Sequence, residues 1–327
     1  MRAIVIKEYG GPEVLKIEER PDPVLTADQV LIEVKAFGLN HAECYFRAGA
    51  WGEVAEITGI ECAGVVRSDP SGQFRSGQTV VAIVGGLGRS LNGSYAELVL
   101  APRSNVAAVE TSLSWSALAA IPESYATAWT ALIGVMDLRE GQTLLVRGAT
   151  SALGQAAVNI GRLAKAHVIA TTRKDNRAPM LRELGAHEVH IEDKALAAPL
   201  REAHPAGIDA VLDIVGNTTI LDSLVSLKRG GVACEVGLLG GGGPLSVEPV
   251  FQIPSGRRLT TFASALVTGT AEFPISEIPF QTIVDRVAKG AYKAAPAKVL
   301  AFEDIQEGHR LMEAGASLGK IVVEVRT

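Results

Sequence analysis

The sequence has few cysteines, no net positive charge and no long apolar run, and each of these features argues against a class of protein. The three cysteines are far apart and form no CxxC pair, which argues against a disulfide framework and a zinc ribbon. The formal net charge of −5 argues against a general nucleic-acid surface. No apolar run reaches membrane-spanning length, and the first residues form a strand-and-turn pattern, not a signal peptide. We therefore expect a cytoplasmic protein that binds neither nucleic acid nor membrane.

What the sequence does contain is enough apolar material for two domains. It has 327 residues, of which 47% are hydrophobic, and 34 glycines. This composition is typical of a compact globular protein and not of a disordered one.

The most informative stretch is a strand–turn–helix–strand pattern at residues 143–171. A short apolar run, 143–146, is followed by a small-residue turn, 148–154, an apolar helix face and a second strand, 167–171. Such a unit binds the pyrophosphate of a dinucleotide, because the first turn of a helix presents free N–H groups and a positive dipole end.

The glycine pattern of this turn is incomplete. Gly148 and Gly154 are present, but Ser151 and Ala152 occupy the middle, where glycine is usual. By itself the turn is equally compatible with an ordinary strand–helix connection. We expect Gly154 to allow close packing of helix on strand, and the turn to supply the candidate phosphate contacts Thr150, Ser151, Ala152 and Leu153.

The residues after the second strand select the cofactor. NAD sites place an acidic residue there for the ribose 2′-hydroxyl. Here the sequence has Thr171, Arg173, Lys174 and Arg177, whose cations suit a 2′-phosphate, so we predict NADPH. The alternative is a solvated basic helix start, and Asp175 could instead serve a 2′-hydroxyl.

The remaining pattern divides the chain in two. Residues 1–119 are β-rich, and from about 120 helices alternate with strands, as in a doubly wound parallel sheet of the α/β class. Strands are predicted at 3–6, 15–18, 30–36, 63–67, 79–84, 94–100, 189–191, 208–215, 231–236 (ending in a glycine-rich run, 237–243), 259–264, 298–301 and 320–325. Helices are predicted at 114–118, 125–135, 177–184, 218–227, 280–289 and 305–314.

Several motifs, in this order and spacing, identify a resemblance over essentially the whole chain. They are Gly38-Leu39-Asn40 with Tyr45, residues 59–66, 77–80, 93–97, 122–129, the nucleotide turn, 209–216, 227–231 and 319–322. The chain resembles the zinc-independent branch of the medium-chain dehydrogenase/reductase superfamily, the quinone oxidoreductase or zeta-crystallin-like reductases. The resemblance implies a GroES-like catalytic domain in two parts, 1–119 and 265–327, around a Rossmann domain, 120–264, and a homodimer.

The resemblance also bears on metal. Zinc-dependent relatives place a cysteine where Asn40 stands and a histidine where Ile60 stands, so we predict no metal. His41 and Cys44 are spaced as a possible metal pair, although a histidine at the pocket edge and a buried thiol explain them more simply.

Without a metal, the resemblance implies NADPH-dependent hydride transfer to a quinone or an α,β-unsaturated carbonyl, which need mainly positioning. It assigns Asn40 to the nicotinamide ribose or the substrate, and Tyr45 to the substrate oxygen. A turn residue and an aromatic pocket wall are the alternatives for these two. The other candidate cofactor contacts are Thr127, Val215, Gly216, Gly237, Leu238, Leu239, Phe262 and Ser264. A position inside a helix is the alternative for Thr127, and a position in the core explains Val215 and Phe262 equally well.

Three rival readings remain open. A zinc alcohol dehydrogenase is disfavoured by the missing ligands, whereas an enoyl-thioester reductase shares the chemistry, and a non-catalytic NADPH-binding protein fits the altered turn. Glu192 stands where relatives often have a tyrosine, and it would oppose NADP if it faced the 2′-phosphate. We expect Glu61 and Lys320 to be structural, and His187, His204 and His309 to lie at the surface.

Overall fold

The computed structural model describes residues 1–193, 195–241 and 243–325. Gly242 of the predicted glycine-rich run lies outside the described residues, as do Arg326 and Thr327 of the predicted segment 265–327. Contacts divide the chain into two units, which are Met1–Ala126 with Ser264–Thr327, and Thr127–Ala263. We call them the first and the second unit.

The strands, in chain order, are β1 (Arg2–Ile6), β2 (Leu15–Glu19), β3 (Gln29–Gly38), β4 (Glu61–Ser68), β5 (Thr79–Ile83), β6 (Leu98–Pro102), β7 (Val106–Ala108), β8 (Thr143–Arg147), β9 (His167–Thr172), β10 (Glu188–Ile191), β11 (Ile208–Asp213), β12 (Leu227–Glu235), β13 (Arg258–Thr261), β14 (Lys298–Ala301) and β15 (Ile321–Glu324). The α-helices are α1 (His41–Arg47), α2 (Trp115–Ala119), α3 (Pro122–Trp129), α4 (Ala152–Leu163), α5 (Ala178–Leu184), α6 (Ala197–Ala203), α7 (Ile220–Ser226), α8 (Pro249–Gln252), α9 (Ser264–Val267), α10 (Phe280–Ala288) and α11 (Ile305–Glu313). A π-helical segment, Thr130–Val135, follows α3 directly.

The first unit is built on a largely antiparallel sheet with the order β14-β15-β3-β4-β5-β7, and β6 also pairs with β3. Strand β3 shows why the sequence of this region predicts a strand. Its buried and half-buried residues alternate, with Val30, Ile32 and Val34 fully buried. Strand β15 pairs antiparallel with β3, so residues from the far end of the chain complete this sheet.

The second unit is a parallel sheet with the order β10-β9-β8-β11-β12-β13. Strands β8 and β11 are buried almost throughout, as expected for a sheet covered on both faces. The direction of winding reverses between β8 and β11, and the carboxyl ends of the strands at such a point form a ligand crevice in open α/β sheets. The α/β fold class with a β-rich domain and a doubly wound sheet is therefore confirmed.

Several predicted elements have different bounds in the structure, and two of them have a clear reason. The strand predicted at 94–100 begins at Leu98, because residues 94 and 95 instead make loop hydrogen bonds to the carbonyls of Gly59 and Thr58. The strand predicted at 259–264 ends at Thr261, and Ser264 begins α9. Within the described residues, no helix combines the length and apolar character that a membrane crossing requires.

Candidate functional site

The turn between β8 and α4 is tight in spite of its missing glycines. Gly148 has a φ of +80°, a conformation that glycine adopts at no steric cost. A Cβ on Gly154 would lie 2.5 Å from the Gly148 carbonyl oxygen and 2.6 Å from the Ala149 Cα, so a side chain there would displace the turn. The prediction for Gly154 needs correction, because it packs against the turn. The glycine that brings α4 onto the strands is Gly161, whose Cβ would lie 2.8 Å from Leu144 and 3.0 Å from Val168.

Ser151 caps α4 with its own side chain. Its hydroxyl oxygen accepts a hydrogen bond from the Gly154 N–H at 3.1 Å and donates one to the Gly148 carbonyl at 2.9 Å. This geometry leaves the Ser151 hydroxyl hydrogen engaged. The N–H groups of Ala152 and Leu153 lie in the first turn of α4, where a helix supplies no internal partner, and they are the donors best placed for a phosphate.

The Asp213 carboxylate shapes the loop that follows β11. It accepts hydrogen bonds from the N–H groups of Val215 at 3.0 Å and Gly216 at 2.9 Å, and from the Thr219 and Ser223 hydroxyls. Burial raises the pKa of Asp213, while these donors and Arg147 act against the shift. Gly216 has a φ of +91°, and a Cβ on it would lie 2.3 Å from the Gly237 carbonyl oxygen.

This loop and the one that follows β12 are thereby held together beside the nucleotide turn. A Cβ built on Gly148 would lie within 3.7 Å of side-chain atoms of Val215 and Leu239. Leu238 and Leu239 are each 37% exposed and form an apolar edge there. The structure therefore brings together the predicted residues of the turn with Val215, Gly216, Gly237, Leu238 and Leu239.

The basic segment after β9 lies on the surface of the second unit. Arg173 and Lys174 are exposed and Arg177 is half-buried. Thr171 is buried, and its hydroxyl accepts a hydrogen bond from the Gly148 N–H at 3.1 Å. The candidate 2′-phosphate contacts thus begin at a residue that is bonded directly to the phosphate turn.

Glu192 does not present a free carboxylate to this segment. It is paired with Arg147, whose Nε donates to Glu192 Oε2 at 3.0 Å, and it accepts a hydrogen bond from the Thr171 hydroxyl at 3.1 Å. Arg147 is fully buried and also pairs with Asp222 at 2.7 Å. Sequence reasoning missed Arg147, although an arginine at the end of an otherwise apolar strand is an unusual residue.

The other predicted cofactor contacts, Phe262, Ser264 and Thr127, are buried or hydrogen-bonded to other residues. Phe262 is 2% exposed, and its N–H donates to the Glu235 carbonyl at 3.1 Å. Ser264 groups with the first unit, and its hydroxyl donates to Glu123 at 2.8 Å. Thr127 is buried in α3, at 3% exposure.

In the first unit, Asn40 lies in a buried polar network at the start of α1. Its side-chain nitrogen donates to Glu61 Oε1 at 2.9 Å, and its side-chain oxygen accepts from the Lys320 ammonium at 2.7 Å. Lys320 also pairs with Glu61, and both are almost completely buried. The Asn40 backbone N–H donates to Glu43, whose pKa is raised by burial to about 8. The Asn40 amide is therefore engaged on both sides by neighbouring side chains.

Tyr45 lies one turn further along α1 and is half-buried. Its ring packs against Trp51, with the ring centroids 4.9 Å apart. Burial raises the pKa of Tyr45, so its phenol remains protonated at neutral pH. Trp51 is 43% exposed, so the pair forms an aromatic surface at the edge of the first unit.

The residues at the predicted zinc-ligand positions do not fit zinc. Asn40 is held by Glu61 and Lys320, and Ile60 is a core residue whose N–H donates to Glu43 at 3.1 Å. Burial raises the pKa of the Cys44 thiol to about 12, so it is not a ready thiolate. Within residues 1–193, 195–241 and 243–325, the histidine, cysteine and carboxylate side chains that converge within metal-binding reach are His167, Glu188 and His204, which are in the second unit.

The prediction that His309 lies at the surface is wrong. It is 1% exposed, and its Nε2 lies 3.0 Å from the Tyr95 hydroxyl. Its Nδ1 faces the Arg47 guanidinium at 3.4 Å, which requires a neutral, accepting nitrogen. Burial, assisted by Arg47, lowers the pKa of His309 to about 3. Helical periodicity could have placed His309 on the buried face of α11 with Ile305 and Met312.

Comparisons with known proteins agree with this architecture. The family models described as alcohol dehydrogenase GroES-like domain and zinc-binding dehydrogenase match residues 26–111 and 152–279. A quinone oxidoreductase of Lama guanicoe is 28% identical over 99% of this chain and 97% of its own length. One of Mus musculus is 30% identical over 76% of each.

Two solved structures are similar over nearly the full length. A mycobacterial Rv1454c protein complexed with NADPH superposes with a TM-score of 0.87 at 27% identity, covering 99% of this chain and 100% of its own. An NAD-dependent alcohol dehydrogenase superposes with a TM-score of 0.83 at 29% identity, covering 100% of both.

The GroES-like fold and the parallel nucleotide sheet define a medium-chain dehydrogenase/reductase. Within that superfamily, the chain belongs to the zinc-independent quinone oxidoreductase family. It is therefore an oxidoreductase that uses a nicotinamide cofactor and acts on a small molecule.

Proposed function

We propose that the protein uses NADPH to reduce a quinone or an α,β-unsaturated carbonyl, without zinc. The observation that carries the proposal is the electrostatics at the end of β9. Arg173 and Lys174 are exposed, while the nearby Glu192 carboxylate is paired with the buried Arg147. A 2′-phosphate would meet cations there, and Glu192 would not oppose it.

The second unit fits a dinucleotide. Gly154 and Gly216 occupy positions where a Cβ would collide with the backbone, so glycine at both positions lets the loops keep their tight conformation. In the proposal, the N–H groups of Ala152 and Leu153 bind the pyrophosphate, and Val215 and Leu239 exclude water from its edge. Arg173, Lys174 and Arg177, which follow β9, bind the 2′-phosphate, while Thr171 at the end of β9 ties this segment to the phosphate turn.

The bound reduced nicotinamide supplies the hydride. Negative charge then develops on the substrate oxygen and needs a donor. We assign that role to the Tyr45 phenol, which burial keeps protonated, with the Trp51 ring as a flat apolar wall. Asn40 enters the proposal as a positioning residue, because Glu61 and Lys320 already engage its amide.

The test compares NADPH with NADH, using 1,4-benzoquinone, 9,10-phenanthrenequinone, a short enone and an enoyl thioester as acceptors. In the double variant Arg173→Ala/Lys174→Ala, we expect the KM for NADPH to rise at least about 10-fold, since two charge-assisted contacts are lost, with little change for NADH. Lys165→Ala is the matched control, because Lys165 is exposed in the same unit and pairs with Glu140. Tyr45→Phe is expected to lower kcat about 10-fold or more.

Equal use of the two cofactors by the unaltered protein would contradict the NADPH assignment. Oxidation of NADPH with the enoyl thioester as the only effective acceptor would favour the thioester-reductase alternative. NADPH binding without turnover of any acceptor would favour a non-catalytic binding protein.

A further inference from the structure

Histidines gather around a single carboxylate in the second unit, far along the sheet from the nucleotide turn. His167 begins β9 and Glu188 begins β10, so both lie at the amino ends of their parallel strands. The turn and its loops follow the carboxyl ends of β8, β11 and β12. The cluster therefore lies at the opposite end of the strands from the nucleotide turn and plays no part in the proposed reaction.

Three side chains of this cluster converge on one point. His167 Nε2 lies 2.5 Å from Glu188 Oε1, and His204 Nε2 lies 3.2 Å from Glu188 Oε2. A ligand atom from each of the three residues falls within 4.8 Å of the others. The side chains are 40%, 31% and 22% exposed for His167, Glu188 and His204, so the cluster can exchange an ion with solvent.

Regular backbone holds these three residues in place. Strands β9 and β10 pair with Glu188 opposite Ile169, which puts His167 and Glu188 on the same face of the sheet. His204 ends α6, where its N–H donates to the Leu200 carbonyl at 2.8 Å. Ile169 and Leu200 belong to one apolar core, so the strand face and the end of α6 are fixed relative to each other.

Two further histidines orient the convergent group. His190 is two residues after Glu188 on the same strand face, and its Nε2 lies 3.4 Å from Glu188 Oε2. His187 stacks on His167, with ring centroids 4.7 Å apart, and its Nδ1 accepts the Val168 N–H at 2.9 Å. That bond fixes the proton of neutral His187 on Nε2 and keeps its ring outside the convergent group.

We propose that His167, Glu188 and His204 form a binding site for one divalent transition-metal ion, with Zn²⁺ the best match. Two imidazoles and one carboxylate are a ligand set that Zn²⁺ accepts, with water completing the tetrahedron. Hydrogen bonds to a metal-binding carboxylate, such as the one available from His190, orient it. The ion would join β9, the edge strand β10 and the end of α6, so its effect is on stability.

The test uses the full chain, freed of any histidine tag and treated with chelator. Isothermal titration with Zn²⁺, and with Co²⁺ as a spectroscopic probe, is expected to show one site with a Kd of about 10 μM or tighter. Tetrahedral Co²⁺ should absorb without a thiolate charge-transfer band, which separates this site from the cysteines. A Zn²⁺ excess should raise Tm by about 3 °C or more.

His204→Gln and Glu188→Gln are each expected to weaken Zn²⁺ binding at least about 10-fold and to remove the Tm shift. Glu183→Gln is the control, because it neutralises an exposed carboxylate of α5 in the same unit that lies outside the cluster, and it should bind nearly as well as the unaltered protein. Quinone reductase activity should not change in any of these variants. The proposal is overturned if the unaltered protein binds no Zn²⁺ at about 100 μM, or if His204→Gln and Glu188→Gln retain full affinity; in either case the cluster is only a hydrogen-bonded network.

Discussion

The two units each contain a buried ionic network, but the networks are closed in different ways. In the first unit, Asn40, Glu61 and Lys320 satisfy one another and leave little capacity for a ligand. In the second unit, Arg147 is shared between Glu192 and Asp222, and the loops beside it keep backbone donors available. Both networks pair buried charges with one another, but only the second lies beside the loops to which we assign the binding of an anion.

The difference bears on how charge is balanced around Asn40. Where zinc-dependent relatives hold a cation with thiolate and imidazole, this chain uses the Lys320 ammonium to neutralise the nearby carboxylate. A protein side chain that is always present thus takes over part of the charge balance. We describe three ways to test this contrast.

The largest effect is expected from Lys320→Ala. Glu61 would be left buried without its ionic partner, which destabilises a protein by about 3–5 kcal/mol. Urea unfolding should show a lower midpoint and a correspondingly lower free energy of unfolding. Lys298→Ala, at an exposed position of β14, is the control and should change stability by less than about 0.5 kcal/mol. A small loss for Lys320→Ala would mean that the pair is solvated and not part of the core.

A second effect concerns acid stability. The pKa of His309 is lowered to about 3, against about 6.5 in an unfolded chain. Below pH 6.5 the unfolded state therefore binds a proton at His309 that the folded state does not bind, and the free energy of unfolding falls as pH falls. The contribution is up to about 1.4 kcal/mol per pH unit between the two pKa values.

The measurement is the free energy of unfolding of the unaltered protein and of His309→Gln between pH 7 and pH 4. The variant should start lower but show a shallower decline, because glutamine does not titrate. Parallel pH dependences for the two proteins would show that His309 can be protonated in the folded state.

The smallest effect is expected from Glu192→Gln. Because Arg147 already pairs with this carboxylate, the loss of the Glu192 charge should change the Kd for NADPH by less than about threefold. Asp175→Asn is the informative comparison, since Asp175 is exposed within the basic segment, and we expect NADPH to bind somewhat more tightly there, by up to about threefold. Fluorescence titration measures both. Tightening of 10-fold or more in Glu192→Gln would show that Glu192 opposes the phosphate.

The sequence predicted the parallel sheet well because buried strands such as β8 and β11 have apolar centres, at residues 144–146 and 210–212, and are bounded by glycine. It missed α6, Ala197–Ala203, where a proline interrupts the helical pattern. The Asp222 carboxylate, on another helix, accepts hydrogen bonds from the N–H groups at the start of α6. It also missed β7, which is three residues long and is defined by its pairing with β5. Such elements depend on partners that are distant in sequence.

At the site, the residue types in the turn and the basic segment were readable, but their hydrogen bonds were not. Glu192 looked like an opponent of NADP because its partner, Arg147, is on another strand. His309 looked like a surface histidine because its neighbours, Tyr95 and Arg47, come from remote segments. In each case, a tertiary contact determines whether a charge is available.

The Ser151 cap also bears on the entropic cost of binding a nucleotide. A helix start built from consecutive glycines must lose considerable backbone freedom when a phosphate arrives. Here the serine hydroxyl already holds the Gly154 N–H of the helix and the Gly148 carbonyl of the turn in place. The entropy of ordering the loop is therefore lost during folding and not during binding, so a chain with fewer glycines presents its phosphate donors already in place.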